Sequence, residues 1–326
     1  MVKKILTRRR NIKENEEQDK KRAETRTAKS QKSENKKPIS VRSKKFRPNL
    51  ALPKVASVIP LSARITNTKV QRSYPLTLLG ITNAETIEVI FPNWFNQVFV
   101  GTRNNVAYQP YDLNMPSSLL KRSIAHYQAD SPITEHGKIC AALIGRGILL
   151  ANYQPKIIFT SPELRCIETA RSIQRSLHID NWSLCVEPSL AEYAGFRDNA
   201  EKYWFTIREL QQAGIFSINK AYVPLLRLEK LSRNETPQEF IYRLQRFYEH
   251  IIVNFDDRCI VIVSNITGIF VLNDGIATAP WHLQEPHAYM NSCHLCAIEV
   301  TPDGKIESIS NPILPLTRTL FDAKNT

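Results

Sequence analysis

Cys259-Ile260-Val261-Ile262-Val263-Ser264 is the stretch on which the fold turns. It carries no charge and reads as a strand buried on both faces. Upstream, Leu76 to Thr82 (LTLLGIT) is a second short, nearly continuous apolar run. Lys156 to Thr160 and Leu184 to Val186 are further short strands. Helical patterns stand between them. Thr134 to Leu150 reads as a helix with Ile139, Leu143 and Leu150 along one side. Ser161-Pro162-Glu163 opens another, with Ser as N-cap and Leu164, Ile167, Ile173 and Leu177 at helical spacing. Thr236-Pro237-Gln238-Glu239 is a capping box for a third. Downstream, His294–Val300 and Lys305–Ser310 flank Thr301-Pro302-Asp303-Gly304, a hairpin signal. Strands alternating with helices predict an α/β domain with a mostly parallel sheet.

Outside this region the composition changes. The chain has 326 residues and a formal charge of +13. Residues 1–50 hold 18 Lys+Arg against 6 Asp+Glu, so the remainder is nearly neutral. A folded body with a basic nucleic-acid-binding face is therefore not expected. The first 50 residues have no Gly and a single aromatic, Phe46. Too little apolar surface is available there to offset chain entropy, so residues 1–68 are read as a disordered basic tail and linker before a domain at 69–326. Lys20-Lys21-Arg22 and Arg42-Ser43-Lys44-Lys45 are read as a nuclear address or a weak nucleic-acid backbone contact, or else as a solvated tail without a partner. No secretory leader and no membrane span are read, so an intracellular protein, cytoplasmic or nuclear, is expected. Cys293-His294-Leu295-Cys296 is one CxxC without a second. It fits a strand with small apolar thiols better than zinc, so neither metal nor cofactor is expected.

In open α/β sheets, ligands gather beyond the carboxyl ends of the strands. Asn83 follows the first strand, Asn265 follows the strongest one, and Arg165 falls in the first turn of the helix after Thr160. An arginine at a helix N-terminus suits an anion. The other reading of Arg165 is structural, as an ion pair with Glu192 or Glu85.

Ordered segments carry a resemblance from about Tyr74 onward. They are Thr82-Asn83-Ala84-Glu85-Thr86-Ile87-Glu88, Leu113-Asn114-Met115-Pro116-Ser117-Ser118-Leu119, Ser131-Pro132-Ile133-Thr134 with Gly137, Ser161-Pro162-Glu163-Leu164-Arg165-Cys166, Val186-Glu187-Pro188-Ser189-Leu190-Ala191-Glu192, Val263-Ser264-Asn265 and Asn311-Pro312-Ile313-Leu314-Pro315-Leu316-Thr317. With these the chain resembles the histidine phosphatase, or phosphoglycerate-mutase-like, superfamily. It is most similar to the branch of the suppressor-of-T-cell-receptor-signalling (TULA) phosphatases and insect ecdysteroid-phosphate phosphatases. The resemblance implies a three-layer α/β/α fold. It also implies a site in which one histidine takes the phosphoryl group, arginines and a second histidine bind it, and a glutamate protonates the leaving group.

This sequence departs from that pattern at the reacting positions. Asn83 stands at the nucleophile, Asn265 at the second histidine, and Thr82 and Thr86 at two arginines. Arg165 and the candidate acid Glu192 are retained. A carboxamide neither titrates near pH 7 nor offers an amine-like lone pair, so Asn83 cannot do an imidazole's work. The expectation is a catalytically inactive phosphatase-like protein acting by binding. Its partner would be a second copy, an active paralogue, or a weakly held anionic or phosphorylated ligand. Two alternatives stand beside it. One is a residual phosphomonoesterase, acting on protein tyrosine or steroid phosphates through His282, His287 or water. The other is a nuclear or nucleic-acid tether through the tail. Cys166 is read as buried and inert.

Overall fold

Six strands form the central sheet in the order β5-β4-β6-β1-β7-β8. They are β1 (Leu76–Thr82), β4 (Ile157–Thr160), β5 (Ser183–Val186), β6 (Cys259–Ser264), β7 (Leu295–Val300) and β8 (Ile306–Ile309); β2 (Phe99–Thr102) and β3 (Asn105–Tyr108) form a separate hairpin. The structure, a computed structural model, describes residues 72–102, 105–177, 183–197, 200–274 and 292–317. The basic segment, the boundary at 68, and His282 and His287 lie outside the described residues.

Strands β5, β4, β6 and β1 run parallel, and β7 and β8 extend the sheet antiparallel. The apolar runs fold this way because alternate side chains of each strand feed opposite cores. Leu79, Ile81, Ile158, Val261 and Val263 face one core with helices α1 (Glu135–Leu150) and α2 (Leu164–Ser176). Leu76, Leu78, Phe159, Ile260 and Ile262 face the other with α3 (Pro237–Asn254) and α4 (Ile266–Asp274). Three layers result, α/β/α, as the resemblance implies. The hairpin between β7 and β8 turns at Gly304, whose φ of 86° suits glycine.

Two local expectations are corrected. Ile139, Leu143 and Leu150 lie on the outer face of α1; its buried face is Cys140, Ala141, Ile144, Gly145, Gly147 and Ile148. Small residues won because α1 and α2 approach closely: a Cβ at Gly145 would come within 2.7 Å of the Ile173 carbonyl oxygen. Ser161 is not the N-cap of α2, which begins at Leu164 with Glu163 as N-cap. The Ser161 hydroxyl turns instead to Glu163 and the Leu190 carbonyl. The first helical amide, Leu164 N, is capped from afar by Asp130 Oδ1 at 2.8 Å.

Candidate functional site

Parallel register places four strand ends side by side. Thr82 pairs with Ser264, Thr160 with Val263, and Thr160 with Val186. The backbone bonds continue one residue further: Asn83 N donates to Ser264 O, Ser161 N to Val263 O and Glu187 N to Thr160 O, each at 2.9 Å. Asn83, Asn265, Ser161 and Glu187 therefore leave the sheet along one edge.

Arg165 points from the first turn of α2 to Glu192, with Nη2 2.8 Å from Oε2. Both side chains are largely buried, at 15% and 16% exposure. Burial opposes the guanidinium charge, but Glu192, then Glu163, outweigh it and raise the pKa above arginine's usual value; Cys166 and Glu88 add to this. Glu192 is held in turn by its own amide, which donates to Glu163 Oε1 at 2.8 Å. Of the two structural partners open to Arg165, the fold takes Glu192. Glu85 instead accepts from Thr134 Oγ1 and Asn114 Nδ2.

Asn265 is buried and its amide is fully engaged. Oδ1 accepts from Gly268 N at 3.0 Å and from the Thr267 hydroxyl, so it caps α4. Asparagine is a preferred residue for this position. Its Nδ2 donates to Leu190 O at 3.3 Å, the carbonyl that Ser161 Oγ and Ser264 Oγ also reach. Asn83 is half-buried, and its Nδ2 donates to Ala84 O at 3.0 Å. Thr82 is buried, its hydroxyl accepting from His294 N at 2.9 Å. Thr86 is buried, and its hydroxyl has no hydrogen-bond partner among the described residues. It sits in a β-bridge to Ile133. The fold thus brings Arg165 to Glu192 and Asn83 alongside Asn265, while the two threonines serve the packing around β1. Burial raises the Cys166 thiol well above its usual value.

The sequence reading missed what carries this edge. Arg243 of α3 forms a bidentate buried pair with Glu235, at 2.7 and 2.8 Å, and donates to Ser189 O and Ala191 O. Glu187 is fully buried and accepts from the Ser189, Leu225 and Leu226 amides and the Tyr222 hydroxyl. Together they fix loop 188–192, which supplies Leu190 O and Glu192. The bonds that tie the loop down lie outside the local pattern, to Leu225 and Leu226 for Glu187 and to Ser189 and Ala191 for Arg243.

Helix α2, which carries Arg165, is tied down by two further carboxyl groups. Asp130 pairs with Arg122 at 2.9 Å and caps Leu164, while Glu168 accepts from Ile133 N. Burial pushes Asp130 up to about 6 despite Arg122, and Glu168 up to about 7 despite its amide donor. Folded protein therefore keeps protons that unfolded chain, near pH 4 to 4.5, has released. The stabilisation is complete below the unfolded values and is lost as pH rises through the folded ones. The midpoint of urea unfolding should fall between about pH 5 and about pH 8, and Glu168→Gln should flatten the upper part of that slope. A midpoint that rises over this range would contradict both shifts.

Comparison with known proteins adds the following. A model described as the histidine phosphatase superfamily (branch 1) matches residues 118–311. Mouse ubiquitin-associated and SH3 domain-containing protein B is 32% identical over 175 residues, 52% of this chain and 27% of the relative. Drosophila melanogaster ecdysteroid-phosphate phosphatase is 26% identical over 246 residues, 73% of this chain and 32% of the relative. The chain thus spans about a third or less of the length of these curated relatives. Among solved structures, the ecdysone phosphate phosphatase of Bombyx mori in complex with tungstate aligns with a TM-score of 0.60 at 23% identity. That alignment covers 75% of this chain and 95% of the other, and it shows the shared fold.

Proposed function

Because the chain belongs to the histidine phosphatase superfamily (branch 1), we propose that it is a member that has lost phosphoryl transfer and acts by binding. The observation that carries this reading is the ion pair at 2.8 Å between Arg165 and Glu192. A guanidinium held by a carboxylate is neutralised toward an incoming phosphate. Displacing Glu192 would leave a largely buried carboxylate without its partner.

The asparagines support the same reading. Asn83 and Asn265 spend their amides on Ala84 O, Gly268 N and Leu190 O, so a phosphate would have to break fold-stabilising bonds to use them. Neither can become phosphorylated and then release the group as an imidazole does. Losing an activated nucleophile alone costs on the order of a millionfold in rate. Losing charged donors removes further transition-state stabilisation. Binding is then left to the outer surface of the domain, through a second copy or an active paralogue, and an anionic ligand at Arg165 would be held weakly.

The test is hydrolysis of p-nitrophenyl phosphate by the purified full chain beside an Arg165→Ala variant. The expected rates are equal and close to the buffer blank. A rate well above the variant's, or a phosphoenzyme trapped on any histidine, would overturn the proposal.

A further inference from the structure

A thiol, an imidazole and a carboxylate come into line at the start of α1. Cys140 Sγ lies 3.6 Å from His136 Nε2, within hydrogen-bonding range for sulfur. On the other side of the ring, His136 Nδ1 lies 3.7 Å from Glu85 Oε2. Positions 136 and 140 are one turn apart, so the two side chains share a face of the helix. Glu85 reaches them from the loop after β1. Gly137 makes room for that loop, because a Cβ there would come within 2.7 Å of the Glu85 carbonyl oxygen. Glu85 Oε1 is occupied by Thr134 Oγ1 at 2.6 Å and Asn114 Nδ2 at 3.2 Å, and Oε2 is the oxygen turned to the ring.

We propose that Cys140 is a reactive thiol, activated by His136 with Glu85 positioning the ring, and that small hydroperoxides oxidise it to a sulfenic acid. The carboxylate favours the proton on Nδ1, which leaves the Nε2 lone pair facing the thiol. Among the described residues no group of three or more His, Cys, Asp or Glu is arranged to hold a metal ion, so the trio is not a metal centre. Its geometry is that of a nucleophile, a base and a group orienting the base. Burial sets the class of reagent. Cys140 is 3% exposed, whereas the His136 side chain is 51% exposed. So small an exposure favours a reagent of two or three heavy atoms over a peptide or a bulky alkylating agent.

In the reaction, His136 Nε2 takes the proton from Cys140 Sγ. The thiolate attacks one oxygen of the hydroperoxide and the O–O bond breaks. Sulfur is oxidised to S–OH and the peroxide is reduced. The departing oxygen takes the proton back from the imidazolium and leaves as water or an alcohol. By contrast, burial pushes Cys185 up to about 11 and Cys259 up to about 12.

The experiment exposes the folded full chain to hydrogen peroxide, removes the peroxide with catalase, unfolds the chain in the presence of a dimedone-type probe that traps sulfenic acid, and quantifies each cysteine by peptide mass spectrometry. Cys140 should be labelled at least about tenfold faster than Cys166, Cys185 or Cys259, and His136→Ala should bring it down to their rate. His136 is half exposed, so this variant should keep the native urea midpoint. Glu85 is a positioning residue, and its effect is read from its dependence on His136. Glu85→Gln should slow Cys140 labelling several-fold when His136 is present and change nothing in the His136→Ala background, whereas a merely structural role would alter both. Labelling of Cys140 at the rate of the other buried thiols, or labelling unchanged by His136→Ala, would overturn the proposal. Neither result bears on phosphate hydrolysis, in which Cys140 has no part.

Discussion

Glu187→Ala is expected to lower the stability of the domain by about 3–5 kcal/mol, the largest loss from any single carboxyl group at the strand edge. Glu187 is fully buried and accepts four hydrogen bonds. Ser189 N and Leu225 N donate at 2.8 Å, Leu226 N at 3.3 Å, and the Tyr222 hydroxyl completes the set. Alanine would leave three amides and a phenol facing a cavity. Each unsatisfied donor costs roughly 1–3 kcal/mol, reduced where water or a shifted loop can reach it. Burial, then the Glu187 charge, raises the Tyr222 pKa, which keeps the phenol a donor at any ordinary pH. Tyr222→Phe removes one of the four bonds and should cost about 1–2 kcal/mol. Urea unfolding of the full chain, followed by far-ultraviolet circular dichroism, reads both values. A loss below about 1 kcal/mol for Glu187→Ala would mean that the carboxylate does not hold this loop.

Arg243→Ala should be nearly as damaging, at about 3–5 kcal/mol. Its side chain is 9% exposed and that of Glu235 is 4% exposed. Removing the guanidinium strands a buried carboxylate and leaves Ser189 O and Ala191 O without the donors they now have at 2.7 and 3.0 Å. The double variant Arg243→Ala/Glu235→Ala should be less destabilised than the sum of the singles, by more than about 1 kcal/mol, because no unpaired charge remains. Arg243→Lys should not rescue, since an ammonium cannot make the two parallel bonds to Glu235 or reach both carbonyls as a planar fork does. Additive single losses, or rescue by lysine, would show that Arg243 acts by packing over Phe240, 5.1 Å from its ring centre, more than by its hydrogen bonds.

These two positions bear on the functional reading because both hold loop 188–192. That loop delivers Glu192 to Arg165 and the Leu190 carbonyl to Asn265. The arrangement of the edge is therefore maintained from behind, by α3 and the segment around Tyr222.

The two asparagines illustrate how far sequence reasoning reached. Their places at two strand ends were legible, because each follows an uncharged apolar run that ends abruptly. The use of Asn265 as the cap of α4 was not read, although asparagine before a helix is a known capping pattern. The capped amide belongs to Gly268, three residues on. The buried face of α1 departs from the pattern for a different reason. Large apolar residues at helical spacing point to Ile139, Leu143 and Leu150, but tight packing against Ile173 selects Gly and Ala.

Strand and helix order, the parallel sheet, the family and the positions of Asn83, Arg165 and Asn265 were determined by the amino-acid sequence alone. Burial on two faces and helical spacing are properties of neighbouring residues, and a chain cannot hide them. Only the tertiary structure decided that Arg165 meets Glu192 and not Glu85, that Leu190 O gathers three donors, and that Glu187 and Arg243 secure the edge. Apart from the nearer Ser189 and Glu235, the partners named here lie 27 to 75 residues apart along the chain, and packing must first bring such groups together and exclude water.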